Sequence, residues 1–135
     1  MLRKLLLLLT LTVASQTATA WLPGDMPLDK REAEPNWETA EHSCPEVITS
    51  RKGEHRFYVA SVYGYSLRYG KWNYIVPEAR EHIRYTFEPE KEQAYLFCHY
   101  NKLDTALIIH AKDAIACNDK KGVCWKADPY VGKKR

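Results

Sequence analysis

Four cysteines, Cys44, Cys98, Cys117 and Cys124, constrain what this 135-residue chain can become more than any other feature. Whether they close rings depends on compartment, and the start of the chain speaks to that. Residues 1–20 have the three-part layout of a secretory signal peptide: Arg3 and Lys4, an apolar run over residues 5–13, and a small-residue exit at Ala18-Thr19-Ala20, with cleavage expected after Ala20. A membrane-spanning helix needs about 20 apolar residues, and this run reaches roughly half that before Ser15, Gln16 and Thr17 interrupt it. No later run is long and apolar enough to span. In an oxidising compartment, an even number of cysteines in so small a chain reads as two disulfides.

The pairing is suggested by a turn. Asp119-Lys120-Lys121-Gly122 places Asp at the start and Gly where a positive φ is needed. A hairpin around it sets Cys117 opposite Cys124, which leaves Cys44 for Cys98. The rival use of the thiolates, a zinc site completed by His42 or His99, lacks any Cys-x-x-Cys pair and belongs in a reducing compartment. No metal or other cofactor is expected.

Charge excludes little but directs the reading away from nucleic acid. Removing residues 1–35 takes away four basic and four acidic residues, leaving sixteen Lys plus Arg against thirteen Asp plus Glu. That balance is mild and dispersed, whereas a nucleic-acid surface needs a basic stripe. Arg51, Lys52 and Arg56 are the densest early cluster and read as a solvated face. The chain beyond the leader is large enough for one core, so a single domain and a monomer are expected.

Periodicity points to strands. Residues 57–62 alternate, with Phe57, Val59 and Ser61 on one face and Tyr58, Ala60 and Val62 on the other; residues 72–76 form a second short candidate. Residues 82–87 put Ile83, Tyr85 and Phe87 on one face, and residues 77–80 before them can form one helical turn opened by Pro77. Residues 94–100 and 105–110 read as an antiparallel pair, with Leu107, Ile108 and Ile109 expected at its centre because they are the most apolar, β-branched run. Residues 115–118 and 123–126 close the sheet as a small hairpin. The fold class is therefore mainly β: a small antiparallel β-sandwich or barrel of five to seven short strands with two disulfides. The expected organisation is a signal peptide over 1–20, a pro-segment or flexible linker over 21–41, the stapled β domain over 42–127 and a basic tail over 128–135.

Catalytic spacing is missing: there is no nucleophile elbow, no His-Glu-x-x-His and no phosphate-binding glycine loop. Glu78, Glu81 and His82 are the densest acid/base group and read as a solvated turn. A ribonuclease-like hydrolase, the alternative function, needs Glu81, Arg84 and His110 on facing strands, without the flanking residues that mark such a site. Aromatic residues are more informative. Tyr58, Tyr63, Tyr65, Tyr69, Trp72 and Tyr74 crowd around Gly64 and Gly70. Rings with polar tips suit contact surfaces, so Tyr63, Tyr65, Tyr69, Trp72 and Tyr74 are the candidate binding residues.

Two resemblances add to this. Leu28-Asp29-Lys30-Arg31-Glu32-Ala33-Glu34-Pro35 resembles the maturation site of kexin-processed fungal secretory precursors, which implies cleavage after Lys30-Arg31, dipeptide trimming of Glu32-Ala33 and Glu34-Pro35, and a mature start at Asn36. With the signal peptide and the two-disulfide β domain, the whole looks like the small secreted effectors of fungi, which implies an extracellular, non-enzymatic protein acting on a target protein outside the producing cell. Cys44-Pro45 and Tyr95-Leu96-Phe97-Cys98-His99-Tyr100 are also similar to a family of uncharacterised periplasmic bacterial proteins. That family carries Trp at the position of Tyr95 and a further Trp after its Cys-Pro, both absent here; the resemblance would move the protein to the periplasm and leaves residues 28–35 without a role.

Overall fold

The computed structural model describes residues 33–131. The expected processing residues Ala20, Lys30 and Arg31 lie outside the described residues. Two antiparallel sheets form a curled half-barrel. Nine strands run in chain order among the described residues: β1 (His42–Ser43), β2 (Val47–Ser50), β3 (Gly53–Ser66), β4 (Lys71–Tyr74), β5 (Tyr85–Thr86), β6 (Glu92–Tyr100), β7 (Leu107–Ala111), β8 (Ala116–Asn118) and β9 (Val123–Trp125). The smaller sheet has the order β1-β9-β8-β5; the larger runs β2-β3-β6-β7, with β4 also paired to β3. The helical turn expected at Pro77 does not form. Residues 77–84 instead run irregularly, because the Arg84 carbonyl accepts from Glu78 N–H at 2.7 Å and Asn118 Nδ2 donates to the His82 carbonyl at 2.7 Å.

The alternation read at residues 83–87 survives with less strand than expected. Ile83, Tyr85 and Phe87 are all buried, although only Tyr85 and Thr86 pair as strand. Ala60, Ala94, Leu96 and Ala111 of the larger sheet share one buried cluster with Tyr85 and Phe87. A second cluster gathers around Trp125, which is fully buried and donates its indole N–H to the Asn36 carbonyl at 3.1 Å.

Residues 33–41 and 128–131 take part in that second cluster, so the folded body extends beyond 42–127 at both ends. Pro35 is fully buried, Trp37 packs against Trp125 with ring centroids 5.5 Å apart, and Asn36 N–H donates to the Pro129 carbonyl at 2.7 Å. The Pro-rich composition that reads as a linker supplies no periodic face of its own. It supplies single residues that fill the space over a buried tryptophan.

The half-barrel is stapled with the pairing that the turn favoured: Cys44 bonds Cys98 and Cys117 bonds Cys124, and no described cysteine is free. Gly122, with φ +65°, is the position where the β8–β9 turn demands glycine; a Cβ there would stand 2.6 Å from Phe57 and 2.9 Å from the Cys44 sulfur. Beside it, Asp119 knits the sheets together. Its carbonyl accepts from Ala60 N–H at 2.9 Å, and its carboxylate accepts from Arg84 Nε at 2.5 Å and from the Tyr85 hydroxyl at 3.3 Å. The Tyr85 hydroxyl is pushed up from 10.0 to about 12, first by burial and then by the Asp119 carboxylate.

Two sequence expectations change in the larger sheet. A β-bulge between Phe57 and Val59 breaks the simple alternation: Phe57 pairs Tyr100 and Val59 pairs the next residue, His99. His55 and Phe57 therefore face inward with Ala60 and Val62, and Tyr58 is left exposed. Leu107, Ile108 and Ile109 are not central. They lie in β7 at the edge of the sheet, with Leu107 and Ile108 exposed, because the interior is already filled by β3 and β6.

Candidate functional site

Past the bulge, β3 and β6 alternate strictly, and Cys98 fixes which way they face. Its sulfur must turn inward to reach Cys44, so Ala94, Leu96 and Tyr100 turn inward with it while Tyr95, Phe97 and His99 turn out. Register then assembles the outer face. Tyr63 stands across from Tyr95 on one side and from Tyr74 on the other; Tyr65 stands across from Trp72; Phe97 faces Ile108 and Tyr95 faces His110. The tight β3–β4 connection depends on Gly70 at φ +63°, whose N–H donates to the Ser66 carbonyl at 2.9 Å.

The rings touch in a continuous network. Tyr63 lies 4.8 Å from Phe97, Trp72 lies 4.7 Å from Tyr95, and Tyr65 lies 5.2 Å from Trp72, centroid to centroid. Most meet edge to face, the arrangement their quadrupoles favour. His110 instead stacks flat on Tyr95 at 4.5 Å and 9° and shares a hydrogen bond with Gln93 at 3.1 Å. The network still faces solvent, with Trp72 51% and Tyr74 75% exposed.

Of the residues named from sequence, Tyr63, Tyr65, Trp72 and Tyr74 come together on this face. Tyr69 does not join the ring network; it sits at the rim in the β3–β4 turn, under the Arg68 guanidinium at 5.2 Å. Sequence reasoning missed Tyr95, Phe97, Ile108 and His110. The parity imposed by Cys98 was a usable signal for Tyr95 and Phe97. Nothing in the sequence gives the cross-strand register that brings Ile108 and His110 beside them.

No protein-family model, curated protein or solved structure matches the chain. Glu81, Arg84 and His110, the order a ribonuclease-like site requires, are not brought together: Arg84 precedes β5 in the smaller sheet and holds Asp119, whereas His110 lies on the outer face of the larger one. Glu78 accepts from the Thr86 hydroxyl at 3.2 Å and Glu81 stands 3.8 Å from His82, so that acidic group is spent on local ties.

Two Ser–His hydrogen bonds occur among the described residues. Ser61 Oγ meets His99 Nε2 at 3.0 Å on the outer face. Buried His55 donates from Nδ1 to the Asn101 carbonyl at 2.8 Å, which leaves Nε2 to accept from Ser50 Oγ at 2.5 Å. The second pair ties the β2–β3 hairpin to the β6–β7 connection. Among the described residues no group of three or more His, Cys, Asp and Glu is placed to hold a metal ion, and no helix is long and apolar enough to cross a membrane.

Proposed function

We propose that the protein is a secreted, effector-like binding protein that grips a target protein outside the producing cell through the outer face of its larger sheet. The observation that carries this reading is the preset, solvent-facing ring network of Tyr63, Tyr65, Trp72, Tyr74, Tyr95 and Phe97, with Trp72 and Tyr74 more than half exposed. Contacts dominated by aromatic anchors desolvate large area at small entropy cost, and edge-to-face packing has already restricted the rotamers. Two disulfides are compatible with an oxidising location, and the signal layout and the Lys30-Arg31 context favour export.

The test uses immobilised wild-type protein and a Trp72→Ala, Tyr74→Ala variant against extracts of candidate target cells. A specific protein retained by the wild type and lost by the folded variant supports the reading. Equal retention by both removes this face from it.

A further inference from the structure

The fold divides the basic cluster of Arg51, Lys52 and Arg56, for which the aromatic face has no use. Arg51 and Lys52 line a cavity of about 340 Å³ between the β2–β3 turn and the β6–β7 connection, and Lys102 of that connection takes the third place in it instead of Arg56. The two walls are bolted together. Asn101 N–H donates to the Arg56 carbonyl at 2.9 Å and the Asn101 carbonyl accepts from buried His55 Nδ1 at 2.8 Å, while His55 Nε2 is bound to Ser50 Oγ on the other wall. Ser50 Oγ also accepts from Lys52 N–H at 3.1 Å, and Lys102 is held at φ +60°. The cavity lies at the opposite end of β3 from Tyr63 and Tyr65.

We infer that this cavity binds a phosphate or sulfate ester group. None of its three cations is in an ion pair among the described residues, whereas Lys91 is tied to Glu88 and Arg84 to Asp119. Asp104 is the one carboxylate in the lining, so three cations against one acid leave the cavity at +2. Like charges gathered on two loops that cannot move apart repel one another, and an anion between them relieves that repulsion. Thr105 adds a hydroxyl donor. Leu103, packed against the main core cluster, gives an apolar patch for the group that carries the ester. One walled cavity suits a single ester group, not the run of phosphates that a basic stripe follows.

The experiment is a titration of the oxidised protein with glycerol phosphate and, separately, with glucose 6-sulfate, read from backbone amide shifts against potassium chloride at matched ionic strength. Saturable shifts confined to residues 50–53 and 101–106 are expected, with a Kd of about 1 mM, and the ester bound more tightly identifies the source. Arg51→Ala and Lys102→Ala are each expected to weaken binding about tenfold, with unchanged disulfides and circular dichroism. Asp104→Asn is expected to strengthen it about threefold, a gain that misfolding cannot imitate. Trp72→Ala should leave it unchanged, which separates this cavity from the aromatic face. Shifts that never saturate, that chloride reproduces, or that survive Arg51→Ala combined with Lys102→Ala overturn the inference. An Asp104→Asn variant that binds no tighter overturns it equally.

Discussion

The two sheets of the half-barrel spend their polar and aromatic residues differently. In the smaller sheet nearly every distinctive side chain is turned inward and tied: Trp125 to the Asn36 carbonyl, Asn118 to the His82 carbonyl, Asp119 to Arg84 and Tyr85, and Cys117 to Cys124. In the larger sheet the backbone ladder does the holding, and the rings on the outer face are left in contact with one another and with water. Strands of two or three residues have too few ladder bonds to be stable alone, so side-chain ties replace them. Strands of nine and fourteen residues have ladder to spare, and their outer face is free for another role.

Substitutions in the two sheets should therefore separate into those that unfold and those that only disarm. The largest loss is expected where the sheets are joined: replacing Cys44 and Cys98 by serine opens a bond spanning 54 residues and should cost about 4 kcal/mol, read from chemical denaturation. Asp119→Ala should cost about 3 kcal/mol, because Arg84 and Asp119 are 17% and 15% exposed and the guanidinium would be left without its carboxylate.

The same junction carries a pH signature. The fold favours the neutral phenol of Tyr85, whose value rises from 10.0 to about 12, so its contribution is complete below about pH 10 and lost as pH climbs through about 12. Tyrosine difference absorbance against pH should show that late ionisation disappear in Tyr85→Phe. Opening Cys117–Cys124, a separation of 7 residues, should cost about 2.5 kcal/mol, less than the longer bond. If it cost more, the smaller sheet would depend on its staple rather than on its side-chain ties. The smallest expected loss is Trp72→Ala, about 1 kcal/mol for a half-exposed ring, with target retention abolished. A Trp72→Ala variant that unfolds would place the outer face among the stabilising elements and erase the contrast.

Legibility in the sequence divides along similar lines. Local chemistry was legible: the Asp119-to-Gly122 turn favoured the disulfide pairing that the structure has, and Ile83, Tyr85 and Phe87 were marked as buried by alternation alone. Placement within a sheet was not. Apolarity marked Leu107 to Ile109 as central, yet apolarity reports that a strand has a dry neighbour, not that it has one on each side, and β7 has one. The aromatic face was half legible. Crowding along β3 and β4 named Tyr63, Tyr65, Trp72 and Tyr74, whereas the partners from β6 and β7 arrive through register, a property of strand pairs that no single segment encodes. Tyr58 was assigned to the same face as Ala60 and Val62, because an extra residue in a strand leaves no local mark when both of its faces are apolar.

That extra residue beside Tyr58 acts as a phase switch for the longest strand. Upstream of it, odd-numbered positions such as His55 look into the barrel; downstream, odd-numbered positions such as Tyr63 and Tyr65 look out. Shortening the chain by one position there, without altering any ring, would swap the sides of every later residue in the strand, sending Tyr63 and Tyr65 against the Cys44–Cys98 bridge and Ala60 and Val62 into solvent.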